Sequence, residues 1–537
     1  MHHASCDVTV IGSGLAGLSA AIACSRSGLQ VTVCSRSRPG IGSCSAISQG
    51  HFRSSVAGFS PGDHRELTLE AGQGLSRAQA LDLLVHRAEP VVRNLQAFGV
   101  PLQSRTRGFD TLPGKIGEEG VSITKPLVRY AQSTGVNFAS PFFAWRIVNV
   151  DGRAAGVLGF HGPEAEPFLM QSGAVILATG GAGALYARTD NPQGMTGSGY
   201  GLAFHAGLSL MDMEFVQFYP LCLATSSRTS RLLPPVLAET SILTNAGLED
   251  IVEKHAIARR PLAIAARDEL CQAMIREVSR GKGHAGAIAL RISHDEKVWQ
   301  RAGQALGIRD LSPLRNWTGK LLAGRDSLPV LPAAHFCMGG VVTDARCQTA
   351  LPGLLAAGEV VGGLHGANRY GGNALSEAAV FGTLAGEETV QTFAGLGARH
   401  HKTALQWSRE QIQEQTAKKA GDGTWGTRQV RRRLQDLMWQ ETGVIRSRAS
   451  LERALKGLQD LKAESAGPPS RGRGLISRLD LLDSILVAET IVRSAHFRRE
   501  SRGAHFREDV PRPSPDWTGH VLISKNGLEF QPGSEPR

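Results

Sequence analysis

The stretch that decides the fold is Asp7-Val8-Thr9-Val10-Ile11-Gly12-Ser13-Gly14-Leu15-Ala16-Gly17, followed at once by small and apolar residues over 18–23. The apolar run over 7–11 predicts a buried strand, and the small apolar residues after the glycines predict a helix. A second strand is predicted over 29–33. Strand, Gly-x-Gly-x-x-Gly, helix and strand in this order are typical of a dinucleotide-binding unit.

The three glycines have separate tasks in such a unit. Gly12 permits the turn, Gly14 lets the backbone approach a pyrophosphate, and Gly17 lets the helix pack on the strand. The positive end of the helix then faces the phosphates. Glycines used only for packing are the alternative, but the strand–turn–helix context favours the dinucleotide site. An acid is expected after the second strand, whereas the chain reads Cys34-Ser35-Arg36.

Three further segments carry glycines or small polar residues next to predicted strands. A Ser-rich loop covers 42–51, a strand over 174–178 ends in Thr179-Gly180-Gly181, and a strand over 353–358 ends at Glu359. The last strand leads into Gly-Glu-Val-Val-Gly-Gly-Leu-His-Gly-Ala-Asn-Arg-Tyr-Gly-Gly-Asn-Ala-Leu at 358–375. This stretch joins an acid, a fixed cation and glycines that let the backbone crowd against a ligand.

The 358–375 stretch resembles the closing signature of the flavoproteins of succinate dehydrogenase, fumarate reductase and L-aspartate oxidase. The resemblance covers about residues 7–520. It implies FAD as the cofactor and a small carboxylate as the substrate. It also implies an α/β fold with a discontinuous FAD-binding domain of two dinucleotide folds, at 1–208 and 331–392. A capping domain is inserted at 209–330, and a C-terminal helical domain with a tail follows at 393–537.

The resemblance also assigns cofactor contacts. Ser35 fits the Ser–Lys pair that commonly ends the second strand in this family, and the loop over 42–51 is expected to contact flavin and pyrophosphate. An ordinary polar loop is the alternative. Respiratory members have a histidine covalently tied to FAD where this chain has Cys44, so we expect non-covalent FAD. The remaining expected contacts are Ser43, Ser48, Gln49, Gly50, Thr179, Gly180, Gly181, Glu359, Ala374 and Leu375.

Two substrate anchors follow from the resemblance. His335 matches the family histidine that contacts a carboxylate, and Arg369 matches the arginine that clamps it. The planar guanidinium fork suits a carboxylate in a way that lysine does not. Glu239 is expected to match the glutamate of a Thr-Glu pair in the cap.

Three other positions depart from the family pattern. Gln272 is expected where the family has its proton-shuttling arginine, Tyr219 where it has a histidine, and Ala238 where it has a threonine. Glutamine cannot shuttle a proton, so Tyr219 or Arg276 could replace the missing acid. The alternative is that fumarate reduction is lost or that the substrate is a different one.

Composition limits the partners. The net charge is +11, and residues 393–537 hold 25 Lys+Arg against 17 Asp+Glu. A solvated basic face, an acidic partner or an anionic membrane surface would each explain this charge, while no nucleic-acid module accompanies it.

No apolar run reaches the roughly 18 residues of a membrane span, so at most peripheral membrane association is expected. The eight cysteines form no C-x-x-C pair, so we expect a reduced cytoplasmic protein that holds no iron–sulfur cluster or other metal.

The sequence therefore predicts an FAD-dependent oxidoreductase of the fumarate reductase/succinate dehydrogenase type. It would transfer hydride between flavin N5 and a carbon pair of a small carboxylate. Two alternatives stay open. One is an L-aspartate oxidase, and the other is a flavin-binding subunit whose main role is assembly with an iron–sulfur or other electron-transfer protein.

Overall fold

The computed structural model describes residues 1–112, 115–225, 229–308, 310–393, 398–417, 426–465 and 472–533. The elements before residue 208 are, in chain order, β1 (His2–Ile11), α1 (Leu15–Arg26), β2 (Val31–Cys34), α2 (Cys44–Ile47), β3 (His51–Arg53), α3 (Pro61–Gly72), α4 (Ala78–Ala97), β4 (Leu102–Arg105), β5 (Gly108–Thr111), α5 (Glu119–Ser133), β6 (Asn137–Ala139), β7 (Phe142–Val150), β8 (Arg153–His161), β9 (Glu166–Leu177) and α6 (Ser198–His205).

The middle of the chain continues with β10 (Leu210–Met211), β11 (Val216–Leu223), β12 (Ser241–Thr244), α7 (Ile251–Lys254), α8 (Arg267–Ser279), β13 (Ile288–Ile292), α9 (Glu296–Leu306), α10 (Ser312–Leu322), β14 (Leu328–Cys337), β15 (Gly340–Val341), β16 (Leu354–Ala356) and α11 (Asn373–Thr392). The last elements are α12 (Ala398–Ala417), α13 (Thr427–Thr442), α14 (Arg448–Glu464), α15 (Arg473–Phe497), β17 (Gly519–Ser524) and β18 (Gly527–Pro532).

The main sheet has the strand order β6-β2-β1-β9-β8-β7, and β16 also pairs with β9. The pairs β1–β2, β1–β9 and β9–β16 are parallel. Leu177 at the end of β9 pairs with Ile11 on one side and Ala356 on the other. The three loops that follow β1, β9 and β16 therefore leave the sheet at the same edge. In open parallel sheets this carboxyl edge is where ligands bind.

Close contacts require glycine at Gly12, in the loop after β1, and at Gly17, in the first turn of α1. Gly12 has φ +114°, and a Cβ on it would lie 2.1 Å from the Ala178 carbonyl oxygen. A Cβ on Gly17 would lie 2.0 Å from the Gly12 carbonyl oxygen. These contacts press α1 against the strand ends, so the predicted α/β nucleotide-binding unit forms as expected.

A second, antiparallel sheet, β11-β14-β13-β12, stands beside the main one. Its core includes Leu270 and Met274 from α8, packed with Leu290 from β13. Strand β14 runs from this sheet towards the carboxyl edge of the main sheet, so the domain boundary expected after residue 330 falls inside a strand. The division of the chain into domains remains a prediction.

The C-terminal part is helical where it is described, as expected. Leu451, Leu458 and Leu461 are buried along one face of α14. The N-cap of α14 is Ser447, whose side chain accepts a hydrogen bond from the Ser450 backbone N–H, and Ser450 in the first turn completes a capping box.

The tail after α15 returns to the middle of the chain. Strand β17 pairs with β10, and Arg498 donates from Nε to Glu214 Oε1 at 2.5 Å and from Nη1 to Glu500 Oε1 at 2.9 Å. All three side chains are fully buried. The buried His505 accepts a hydrogen bond from Arg446 at 2.8 Å, which agrees with a structural role for this segment.

Among the helices of the described ranges, none combines the length and the apolar character that a transmembrane span requires.

Candidate active site

A cavity of ≈ 1980 Å³ opens between the carboxyl edge of the main sheet and the β11–β14 sheet. Sites for drug-sized ligands measure roughly 300–1,000 Å³, so this cavity has room for a dinucleotide and a substrate together. Most of the expected cofactor residues line it, namely Gly12, Gly14, Ser35, Ser43, Ser48, Gln49, Gly50, Thr179, Gly180, Glu359, Ala374 and Leu375. Gly17 and Gly181 lie behind this wall.

The phosphate end of the cavity is formed by the start of α1 and the loop before α2. A Cβ on Gly14 would meet the Ser45 hydroxyl at 3.4 Å and the Ser43 side chain at 3.6 Å. The Leu15 backbone N–H donates to the Ser45 hydroxyl at 3.0 Å. Backbone N–H groups and hydroxyls facing one gap at a helix N-terminus are the donors that a pyrophosphate needs. The residues present therefore fit FAD.

Glu359 occupies the middle of the cavity wall. It accepts a hydrogen bond from the Cys337 backbone N–H at 3.0 Å. A Cβ on Gly181 would lie 2.1 Å from Glu359 Oε1, so a side chain there would displace the Glu359 carboxylate. Burial raises the pKa of Glu359 to about 8. The Thr179 hydroxyl next to it is buried without a hydrogen-bond partner. An unpaired buried hydroxyl and a desolvated acid indicate a bound polar ligand.

Cys44 lies at the start of α2 and lines the same cavity. Burial raises the pKa of its thiol well above the ordinary value. The thiolate, and not the thiol, is the nucleophile in cysteine chemistry. Cys44 is thus a protonated, weakly nucleophilic group.

Arg369 is 6% exposed and lines the cavity two residues before the turn into α11. Its Nη2 donates to Gln217 Oε1 at 2.9 Å, its guanidinium carbon lies 4.7 Å from the centre of the Phe336 ring, and its Nε has no partner. Burial, followed by the like charge of Arg267, lowers the pKa of Arg369 to about 9. The group is thus a fixed cation with an unused donor at neutral pH.

Arg267, the first residue of α8, lies beside it. It is 4% exposed and donates from Nη1 to the Arg369 carbonyl oxygen at 3.4 Å. Its guanidinium carbon lies 6.0 Å from the centre of the Tyr219 ring. Within the described ranges, no carboxylate forms an ion pair with Arg267 or Arg369. Buried charges in proteins are normally paired, so two unpaired buried arginines that face one cavity can hold an anion.

His335 completes the anion site. Its Nδ1 lies 2.6 Å from Asp190 Oδ2, and Asp190 is 5% exposed. Asn191 Nδ2 donates to Asp190 Oδ1 at 2.8 Å and to the His335 carbonyl oxygen at 3.0 Å. Burial lowers the pKa of His335, and the carboxylate of Asp190 opposes that shift. Because Nδ1 is taken by Asp190, Nε2 is the nitrogen available to a ligand.

Gln272 is not brought to the cavity. Successive α-helical residues are about 100° apart, so Gln272 points about 140° away from Arg267 around the helix. Arg267 and Asp268 line the cavity, whereas neither Gln272 nor Arg276 belongs to its lining. The Arg276 guanidinium carbon instead lies 5.4 Å from the centre of the Phe506 ring. The structure therefore does not place Gln272 in the site where the family resemblance expected it, and Arg267 is the arginine of α8 that lines the cavity.

Tyr219 does line the cavity, with its ring centre 5.5 Å from that of His335. Its hydroxyl, however, donates to the Leu233 carbonyl oxygen at 2.9 Å. Burial raises the pKa of Tyr219 well above the ordinary value. A hydroxyl that is occupied and hard to ionise makes a poor proton shuttle, so the geometry favours Tyr219 as a wall of the site.

Glu239 also lines the cavity. Its Oε1 accepts from the Leu262 backbone N–H at 2.5 Å, and its Oε2 lies 3.7 Å from Arg260 Nε. These contacts hold the loop before α8, which carries Arg267 at its end. Ala238, beside it, is buried and has no side-chain hydrogen-bonding group.

Two acids of the site were missed by sequence reasoning. Asp190 has no local signal, because its partner His335 lies 145 residues away. Asp268 follows Arg267 and accepts from Asn368 Nδ2 at 2.6 Å. Burial raises the pKa of Asp268 to about 6. The sequence signal for Asp268 is its position directly after an arginine. Its position on α8 makes it face the cavity.

Comparisons with known proteins agree with this geometry. Residues 7–375 match the family profile described as an FAD binding domain, and residues 431–533 match the one described as a fumarate reductase flavoprotein C-terminus. The chain is similar to one of the subunits of the fumarate reductase (CoM/CoB) of Methanothermobacter marburgensis, with 30% identity and 97% of each chain covered. It is 31% identical to an L-aspartate oxidase of Streptomyces coelicolor, covering 97% of this chain and 91% of the other.

Solved structures give the same result. The E. coli quinol fumarate reductase chain FrdA superposes with a TM-score of 0.85 at 26% identity, covering 99% of this chain and 97% of that one. Sdh1 of Mycobacterium smegmatis gives a TM-score of 0.84 at 26% identity, covering 100% and 95%.

Proposed function

Since the chain belongs to the fumarate reductase and succinate dehydrogenase family of FAD-dependent oxidoreductases, we propose that it transfers a hydride to or from a carbon pair of a small carboxylate. The observation that carries this proposal is the pair of buried arginines, Arg267 and Arg369, that face the cofactor cavity without a carboxylate partner in the described part of the chain. An anionic substrate would supply the missing counter-charge.

We assign binding to Arg369 and His335. Arg369 has an unused Nε–H donor for a carboxylate in addition to its Nη2 bond to Gln217, and His335 Nε2 adds a contact when protonated. Asp190 fixes the orientation of the imidazole. Because Arg267 and Arg369 are both buried, their hydrogen bonds to an anion are stronger than the same hydrogen bonds in water.

We assign the proton step to Arg267. Burial lowers the pKa of Arg267, which makes its guanidinium a better proton donor than arginine in water. Asp268 adjoins it with a pKa near 6 and is a suitable acid to return the proton. When bound, FAD supplies hydride transfer at N5. The N-terminus of α11, at Asn373, would offer its positive end to the negative charge of a reduced flavin.

The relatives favour two more specific proposals, one for the substrate and one for the electron partner. An L-aspartate oxidase activity is favoured by relatives of that name that align over nearly the whole chain. A partner protein that carries electrons is favoured by relatives described as subunits.

All eight cysteines are free thiols, which supports a reducing, cytoplasmic setting.

The test is a panel of small carboxylates mixed anaerobically with the FAD-loaded protein. Fumarate is added to the reduced flavin, and succinate, L-aspartate and monocarboxylates are added to the oxidised flavin, while the visible flavin absorbance is followed. We expect at least one carboxylate to change the flavin redox state, and the Arg369→Ala variant to lose that response. Flavin that responds to no carboxylate would overturn the proposal.

A further inference from the structure

A second group of cations lines the cavity beyond Arg369. Arg53 ends β3, and Arg107 lies in the turn between β4 and β5. The Arg53 guanidinium carbon lies 4.8 Å from the centre of the Tyr370 ring, and Arg107 Nη1 donates to the Tyr370 hydroxyl at 3.3 Å. Two guanidinium groups thus meet at one aromatic ring, immediately after Arg369 in the chain.

These two cations have no direct ion-pair partner. In the ranges that the structure describes, neither forms an ion pair with a carboxylate. Of the two nearby acids, Asp110 contacts His51 Nδ1 at 2.7 Å and Arg105 Nε at 3.1 Å, and Asp63 accepts from the Ser60 hydroxyl at 2.7 Å. Burial lowers the pKa of Arg53, and the charge of Arg107 lowers it further, while Tyr370 and the carboxylate of Asp110 oppose the shift. Two neighbouring like charges, one of them on the half-buried Arg53, favour a bound anion.

The group is held rigidly to the segment that carries Arg369. Arg53 Nε and Nη2 both donate to the Gly371 carbonyl oxygen at 3.1 Å, and Nη1 donates to the Arg107 carbonyl oxygen at 3.0 Å. Arg107 is exposed, whereas Arg369 is buried. Arg107 therefore lies nearer the mouth of the cavity, and Arg369 lies deeper inside it.

We propose that Arg53, Arg107 and Tyr370 form an outer anion-binding subsite. It takes an oxyanion group (carboxylate, sulfonate or phosphate) at the far end of a substrate whose reacting end lies on Arg369. This inference rests on the proposed function, which it deepens by naming an extended substrate with two anionic groups.

The test compares straight-chain dicarboxylates from succinate to suberate with the monocarboxylates of equal length. Each is titrated into the oxidised FAD-loaded protein, and Kd is read from the flavin spectrum. We expect at least one longer diacid to bind roughly tenfold more tightly than its monoacid. In Arg107→Gln most of this advantage should be lost while the monoacid Kd stays unchanged. Arg65→Gln, on the exposed face of α3, is the matched control.

Two outcomes would overturn the subsite. They are equal Kd values for diacids and monoacids in the wild type and an unchanged advantage in Arg107→Gln. The proposed function would fail differently, because then neither monoacids nor diacids would bind at the flavin.

Discussion

His335 Nδ1 lies 2.6 Å from Oδ2 of Asp190 across the cofactor cavity wall. A carboxylate on one ring nitrogen fixes the imidazole tautomer and leaves the other nitrogen for a ligand. Burial lowers the pKa of His335 and Asp190 opposes it, so this pair sets the pH at which the imidazole becomes a cation.

The first prediction concerns Asp190→Asn. An anion prefers the protonated imidazole, so carboxylate binding should strengthen as pH falls through the pKa of His335. Without the Asp190 carboxylate that pKa falls further, and the whole profile of log Kd against pH should move to lower pH. Titrations that follow flavin absorbance at several pH values would measure this profile of log Kd, with Asp82→Asn as a surface control. An unmoved profile would show that the pair has no such role.

The second prediction concerns Arg267. Arg267→Gln should slow turnover by about 10²–10⁴-fold, the usual contribution of a positioned acid. Arg276→Lys and Gln272→Arg, on other faces of the same helix, should have little effect. Stopped-flow flavin kinetics with saturating substrate would measure the step. Rates that respond to Gln272→Arg and not to Arg267→Gln would contradict the placement of these side chains.

The third prediction is that FAD is held without a covalent bond. Acid precipitation should release all flavin into the supernatant, since the thiol of Cys44 is protonated and a poor nucleophile. Cys44→Ala should still bind FAD. Flavin fluorescence that stays with the protein band on a denaturing gel, and that disappears in Cys44→Ala, would instead establish a covalent link.

The fourth prediction concerns the stability of the region around α8. The buried side chain of Glu277 accepts from Asn245 Nδ2 at 2.7 Å, His255 Nε2 at 2.9 Å and Lys254 Nζ at 3.0 Å. Burial alone would raise the pKa of Glu277, but these hydrogen bonds lower it to about 2. The stabilisation is therefore present above the unfolded-state pKa of about 4.3 and is lost as pH falls towards the folded value.

Glu277→Gln should accordingly lower Tm at neutral pH, and its difference from wild type should shrink as the pH falls below about 4.3. Thermal melts across this range measure it, and Glu253→Gln, exposed on α7, is the control. A Tm difference that is constant over the whole range would show that the charge of Glu277 does not stabilise the fold.

The sequence predicts the cofactor half of the molecule better than the substrate half, for a physical reason. Gly12, Gly14 and Glu359 lie in loops whose meeting point is fixed by parallel strand pairing, so local motifs suffice. The pairing of Asp190 with His335 depends on tertiary contacts that no spacing encodes. The side of α8 that faces the cavity likewise depends on packing, and that packing brings Arg267 into the site and keeps Gln272 out of it.

The central claim is that Arg369 clamps a substrate carboxylate, and its most direct test is a binding constant. Kd for a carboxylate that perturbs the oxidised flavin spectrum should be measured for wild type, Arg369→Lys and Arg369→Ala, with Arg346→Lys as a surface control. Loss of a buried charge-assisted contact costs roughly 1.5–3 kcal/mol, so Kd should rise by about one to two decades in Arg369→Ala. Arg369→Lys should already be impaired because the fork is lost. An unchanged Kd in Arg369→Ala, with FAD still bound, would contradict the account.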